Sequence, residues 1–182
     1  MTDGERRPLR LLILGGSGFV GSHVCRLAIS RGYDVVVATR RGPGPLNAAH
    51  GDPILKADWT QRGDARDPEF LRSVMAGPSA GGRGPFDAVV HCVGVLFDGA
   101  SGLGSLNRIV SGIGSVPDAS ATYDDITKKT VDALADAAGE HCAPGTPFVF
   151  MSAAEAGWPD MPGGAFVERW IAPSFLQRYL SA

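Results

Sequence analysis

The sequence lacks the marks of several functional classes, and each absence removes one. No apolar run approaches the length needed to cross a bilayer, so no membrane span is expected. Cys25, Cys92 and Cys142 are odd in number, widely spaced and form no CxxC pair, which argues against a disulfide framework. They read as reduced, mostly buried thiols of an intracellular protein. His23, His50, His91 and His141 have no metal-ligand spacing, and no metal is expected. Neither sign of charge is in large excess: 17 Lys and Arg against 19 Asp and Glu leave a formal charge of −2, with no basic field to attract nucleic acid or an anionic membrane. Met1 to Arg10 carries Asp3 and Glu5 and has no apolar centre, so it resembles neither a signal nor a transit peptide.

What is present is a chain of 182 residues, 44% hydrophobic, enough for one packed domain. It is organised around Leu11-Leu12-Ile13-Leu14-Gly15-Gly16-Ser17-Gly18-Phe19-Val20-Gly21. A short apolar run breaks into glycines and continues as an amphipathic pattern, the order strand, tight turn, helix. Gly15 permits the bend, Gly18 lets a pyrophosphate approach the backbone, and Gly21 allows close packing of helix on strand. The helix N-terminus offers N–H groups and a positive dipole end to the phosphates.

Polar residues 1–8 read as a loose tail, and residues 9–182 as one domain. Strands are expected at Leu9 to Leu14, Tyr33 to Thr39, Ile54 to Ala57, Phe86 to Cys92 and Pro147 to Met151. The first helix should turn Val20, Val24, Leu27 and Ala28 inward. Asp67-Pro68-Glu69 opens a second, with Phe70, Leu71, Val74 and Met75 on its inner face. A third runs from Asp124 to Ala138, with Ile126, Val131, Leu134 and Ala138 inward. Gly94 to Thr122 is glycine-rich and long for a compact domain. Strands alternating with helices predict an α/β fold with a doubly wound parallel sheet, in the order 3-2-1-4-5. The crevice at the strand ends would then gather Ser17 to Val20, Arg40, Cys92 to Gly94 and Ser152.

The end of the second strand decides which dinucleotide fits. An acid there would hold the ribose hydroxyls of NAD and repel a ribose phosphate. This chain has Thr39-Arg40-Arg41 instead. A guanidinium at Arg40 can fork onto the 2′-phosphate of NADP(H), and the Thr39 hydroxyl can add a hydrogen bond. Arg41 reads as a solvated turn residue.

With these motifs the chain resembles the extended and atypical short-chain dehydrogenase/reductases, which have a Rossmann fold. The likeness rests on G-G-S-G-F-V-G, the basic end of strand two, Gly63-Asp64-Ala65-Arg66-Asp67-Pro68, His91-Cys92-Val93-Gly94 and Phe148 to Ala153. It implies that Asp64 and Ala65 lie beside the adenine and that Cys92, Val93 and Gly94 line the ribose and nicotinamide side. Leu106-Asn107-Arg108, residues 111–115, residues 123–127 and Ser152-Ala153-Ala154 resemble an atypical branch. That branch includes the NADPH-binding accessory subunit of respiratory complex I and the fungal dehydrogenase-like proteins of coenzyme Q biosynthesis. A mitochondrial location is implied by that branch, a cytoplasmic one is left open by the sequence.

The departures bear on mechanism. Reductases of this family use Ser-Tyr-Lys, the tyrosine as acid or base and the lysine lowering its pKa. Here Ala153 stands at the serine position with Ser152 one step early, Thr127 replaces a helical asparagine, and Tyr179 resembles the tyrosine. The sequence stops at Ala182, one residue short of the lysine. The resemblance therefore implies a nucleotide-binding protein with a structural or assembly role in a respiratory complex or quinone metabolism. The alternative is an NADP-dependent oxidoreductase acting on a small carbonyl or quinone-like substrate. A sixth strand and a substrate lobe are expected to be missing, with another polypeptide covering the fifth-strand edge.

Overall fold

The structure, a computed structural model, describes residues 7–40, 42, 49–77, 85–95 and 122–151. Strand β1 (Arg10–Leu14) leads through the glycine loop into helix α1 (Phe19–Ser30) and then β2 (Asp34–Ala38). A single 3₁₀ turn (Pro53–Lys56), helix α2 (Pro68–Met75) and strand β3 (Ala88–His91) follow. A π turn (Asp124–Lys128) runs into helix α3 (Lys129–His141), and β4 is Phe148–Phe150.

All pairings are parallel and the order is β2-β1-β3-β4, with Leu12 opposite both Val36 and Val89 and His91 opposite Phe150. This is the expected order for strands two, one, four and five. The expected third strand at Ile54 to Ala57 is a 3₁₀ turn instead, because Asp52 accepts a hydrogen bond from the Ile54 N–H (3.0 Å) and Pro53 starts the turn. The edge beside β2 is filled just after it. Isolated parallel bridges join Val36 to Asp58 and Thr39 to Arg62.

Side chains alternate across the sheet, so each face has its own core. Leu12, Leu14, Val36, Ala38 and Val89 pack against Leu71, Val74 and Met75 of α2 and Leu134 and Ala137 of α3. Ile13, Val35 and Val37 face Cys25 and Ala28 of α1, with Ile54 and Ala57 of the 3₁₀ turn. The sheet is thus covered on both sides, as expected.

Two inner faces differ from the sequence reading. α1 buries Gly21, Ser22, Cys25 and Ala28, while Val20 and Leu27 stay exposed. Its inward stripe is made of small residues because the helix lies too close to the loop and sheet for larger ones. α3 buries Thr130, Leu134 and Ala137. The π turn holds one extra residue per turn relative to an α-helix, so the 3.6-residue phase projected from Ile126 does not carry through. α2 follows expectation at Leu71, Val74 and Met75, under an Asp67 cap that accepts from the Glu69 N–H (3.0 Å).

At the far end of the sheet Arg7, within the expected tail, forks onto Asp87 at 3.0 Å. Asp87 also accepts from the Arg10 N–H (2.8 Å), fixing the start of β1 against β3. Among the described residues no helix is long and apolar enough to cross a membrane.

Candidate functional site

The loop after β1 is shaped by one carbonyl. Gly15 takes a left-handed conformation (φ +81°), accepts from the Gly18 N–H through its oxygen (2.9 Å) and donates to the Ala38 carbonyl (3.1 Å). A β carbon on Gly15 would stand 2.9 Å from a Val93 methyl and 3.0 Å from the Cys92 carbonyl, so the loop touches the end of β3. A β carbon on Gly21 would fall far inside contact distance of the Gly15 oxygen. One on Gly16 would collide with Val37 (2.7 Å) and the Cys25 sulfur (2.8 Å). The chain therefore has glycine where helix, loop and two strands converge.

Gly18 differs in kind. Among the described residues a β carbon there would meet only the Gly15 oxygen, at 3.1 Å. Gly18 is also the N-cap of α1, with no side-chain cap and no acid in the first turn. The N–H groups of Phe19, Val20 and Gly21 are the helix's first donors and have no intrahelical acceptor. Among the described residues, an open cradle, a positive dipole end and a first turn without a carboxylate fit a dinucleotide pyrophosphate. Phe19 is exposed beside this cradle, its ring edge-on to His23.

The second wall is the end of β2. Thr39 is buried, and its hydroxyl lies 2.9 Å from that of Ser17. Arg40 is exposed immediately after it. The Thr39 N–H donates to Gln61 (3.1 Å), and the Gly63 N–H donates to the Thr39 carbonyl (3.3 Å). Gly63 is needed because the Phe70 ring sits where its side chain would go. Asp64 and Ala65 follow, both half-buried. The Arg66 guanidinium forks onto Asp64 (2.7 Å) and, as the main cause, holds its carboxyl below the usual range; the charge on Arg40 adds to the shift.

The third wall is the strand end at Cys92-Val93-Gly94. Burial pushes the Cys92 thiol up to about 11, and that of Cys25 beneath the loop to about 12, so both remain protonated. A β carbon on Gly94 would stand 3.7 Å from the Thr127 hydroxyl, which brings the π turn to this strand end. The turn is tied to the sheet through His91. Thr130 donates to the Ile126 carbonyl (2.6 Å), so it accepts from His91 Nε2 at 2.8 Å. That network assigns the proton to Nε2 and leaves buried Nδ1 without a hydrogen-bond partner. Burial lowers the His91 pKa to about 4.

The structure thus brings Gly15, Ser17, Gly18, Phe19, Val20, Gly21, Thr39, Arg40, Asp64, Ala65, Cys92, Val93 and Gly94 around one end of the sheet. Ser152 and Tyr179 lie outside the described residues, as does Ala153. Gly63 and His91 carry the resemblance in sequence without a site role of their own, while Arg62 and Thr130 stand out only in the structure. Arg62 belongs to no motif, and only its bridge to Thr39 reveals its place.

Residues 11–105 match the family described as NAD dependent epimerase/dehydratase. Polyketide synthase GfsA of Streptomyces halstedii is 34% identical over 131 residues, 67% of this chain and 2% of that protein. MIOREX complex component 2 of Saccharomyces cerevisiae is 27% identical over 94 residues, 49% of this chain and 30% of that one. Among solved structures, UDP-glucose 4-epimerase from Bifidobacterium longum in complex with NAD+ and UDP has a TM-score of 0.56 at 21% identity, covering 81% of this chain and 38% of its own. A ketoreductase from phoslactomycin biosynthesis in Streptomyces sp. HK803 has a TM-score of 0.56 at 20% identity, covering 84% and 33%. At such identities these two are likenesses of fold. The chain spans well under half of each of these relatives.

Proposed function

We propose, because this chain belongs to the NAD dependent epimerase/dehydratase family and is a dinucleotide-binding domain of that kind, that the dinucleotide it prefers is NADP(H). The observation that carries this preference is the end of β2, where Arg40 stands exposed and Thr39 is hydrogen-bonded to the glycine loop. An acid at that place would favour the ribose diol of NAD; a guanidinium favours a ribose phosphate. The NAD+-bound epimerase similar in fold does not carry this argument either way, since its own residues at that point decide its cofactor.

When bound, the dinucleotide supplies a nicotinamide that can give or take a hydride. The chain's own residues hold it. The N–H groups of Phe19 to Gly21 face the pyrophosphate, Gly18 leaves room for it, Arg40 and Thr39 take the ribose phosphate, and Asp64-Ala65 flanks the adenine. Cys92, Val93 and Gly94 line the nicotinamide side, and Ser152 is a further candidate for it by sequence.

Of the two roles open to such a protein, we favour a nucleotide-binding component of a larger assembly, in the sphere of respiratory complexes or quinone metabolism. Ala153 in place of the family serine supports this, as does the likeness to a yeast complex component. So do Val149 and Phe150 of β4 and the following Met151, which are nearly half exposed, a strand edge that another polypeptide would cover. The second role is an NADP-dependent oxidoreductase on a small carbonyl or quinone-like substrate, with Tyr179 as acid or base. Titration of the protein with NADPH and NADH tests the cofactor: tighter NADPH is expected, and equal affinities or tighter NADH would overturn it. Oxidation of NADPH by simple carbonyls or quinones, followed at its nicotinamide absorbance, separates the roles; turnover would sink the assembly reading.

A further inference from the structure

The strip after the 3₁₀ turn carries a second cation to the end of β2. Asp58 N–H donates to Val35 and Val37 N–H donates to Asp58, each at 2.8 Å, and Thr39 continues the ladder through Gln61 and Gly63. Arg62 is consequently the residue beside Thr39 in a parallel bridge. Its guanidinium turns toward the segment that follows Arg40. One terminal nitrogen lies 3.3 Å from where a β carbon on Gly42 would be, and Gly42, with φ +76°, has none.

The carboxylates nearest Arg62 along this strip are engaged elsewhere. Asp58 accepts from the Thr60 N–H at 2.8 Å, and Asp64 is forked by Arg66 at 2.7 Å. Among the described residues neither Arg40 nor Arg62 has a carboxylate at ion-pair distance. Two cations brought to the end of one strand without an ion-pair partner there favour a doubly charged anion between them.

We propose that Arg62 is a second ligand for the ribose phosphate, acting with Arg40 from the segment bridged to the end of β2, and so a specificity-determining residue. This inference rests on the NADP(H) reading above. It assigns a role to the strip outside the glycine loop: the edge segment bridged to β2 delivers half of the positive charge that distinguishes a phosphorylated ribose from a free one.

The test is fluorescence titration of the 182-residue protein and its variants with NADPH and NADH. Arg62→Ala should weaken NADPH by about tenfold and leave NADH unchanged. Arg62→Lys, which keeps the charge and loses the fork, should fall between. Arg31→Ala removes the same charge at the distant end of α1 and should change neither titration. If Arg40→Ala weakens NADPH while Arg62→Ala does not, the cofactor reading stands and Arg62 is not a ligand. Equal loss of both dinucleotides in Arg62→Ala also overturns the inference, since it marks a structural role. If the unaltered protein binds NADH as tightly as NADPH, the cofactor reading fails and this inference with it. Should Arg62→Ala lose its far-ultraviolet circular dichroism, Arg62→Gln takes its place, judged by the same NADPH-to-NADH ratio.

Discussion

The hydroxyls of Ser17 and Thr39 lie 2.9 Å apart, joining the glycine loop to the end of β2 across 22 residues of chain. The glycine loop and the end of β2, to which we assign the pyrophosphate and the ribose phosphate, therefore hold each other in place. Thr39→Val keeps the shape and removes the bond. We expect about 1 kcal/mol loss of stability by urea denaturation, with NADPH binding weakened more than NADH.

Arg40→Ala should weaken NADPH by about 1.5–3 kcal/mol, the scale of a hydrogen bond to a charged group, and leave NADH nearly as before. Calorimetric titration of both dinucleotides measures the difference. Parallel loss for both would detach Arg40 from the ribose phosphate.

Gly18 and Gly21 should respond in opposite ways. Gly18→Val places its side chain mostly in open space, so the protein should fold normally and lose both dinucleotides. Gly21→Ala presses on the Gly15 carbonyl and should cost about 1–3 kcal/mol of stability as well as binding. Thermal melts beside titrations distinguish them. Retained NADPH affinity in Gly18→Val would show that the loop is only a turn.

Protonation of His91 should destabilise the fold. Burial lowers its pKa from 6.5 to about 4 in the folded chain, so the unfolded chain binds more protons between those values. Stability from this group is then intact above about pH 6.5, declines as the pH falls, and is fully lost near pH 4; the total is on the order of 3 kcal/mol. Carboxylates such as Asp52 and Asp64, with lowered pKa values, lose their contributions at still lower pH, as their folded forms protonate. His91→Leu isolates the histidine: the variant should lose less stability than the unaltered protein between pH 7 and pH 4.5. Identical urea midpoint shifts would show that the ring is accessible to water.

Local chemistry made much of the fold legible. Asp67-Pro68 announces α2 because cap and proline act within one turn, the apolar runs of β1 to β4 are visible as strands, and that of β1 as one covered on both faces. The same cap signal stands at Asp52-Pro53, but the apolar Ile54-Leu55 beside it suggests a strand where the chain forms a 3₁₀ turn. The inner face of α1 was displaced toward Val20 and Leu27 because periodicity ranks residues by hydrophobicity. What decided the face was how closely Gly21 and Cys25 let the helix approach. The π turn depends on a hydroxyl shared between Thr130, Ile126 and a histidine on another element, a contact that no local pattern encodes. Arg62 was hidden for a similar reason: its neighbour across the bridge is distant in sequence.

The small inner residues of α1 set a limit on how this domain can be improved. Substitutions that fill space beneath a helix are a common route to higher stability. Here Gly21, Cys25 and Ala28 are what keep the helix N-terminus at the rim of the loop. A bulkier residue at Cys25 would lever the whole helix outward and carry its first N–H groups away from the pyrophosphate position proposed above. A screen for heat-resistant variants would therefore enrich inner-face replacements that melt higher and no longer hold a nucleotide. Resistance to heat and retention of cofactor would have to be selected together.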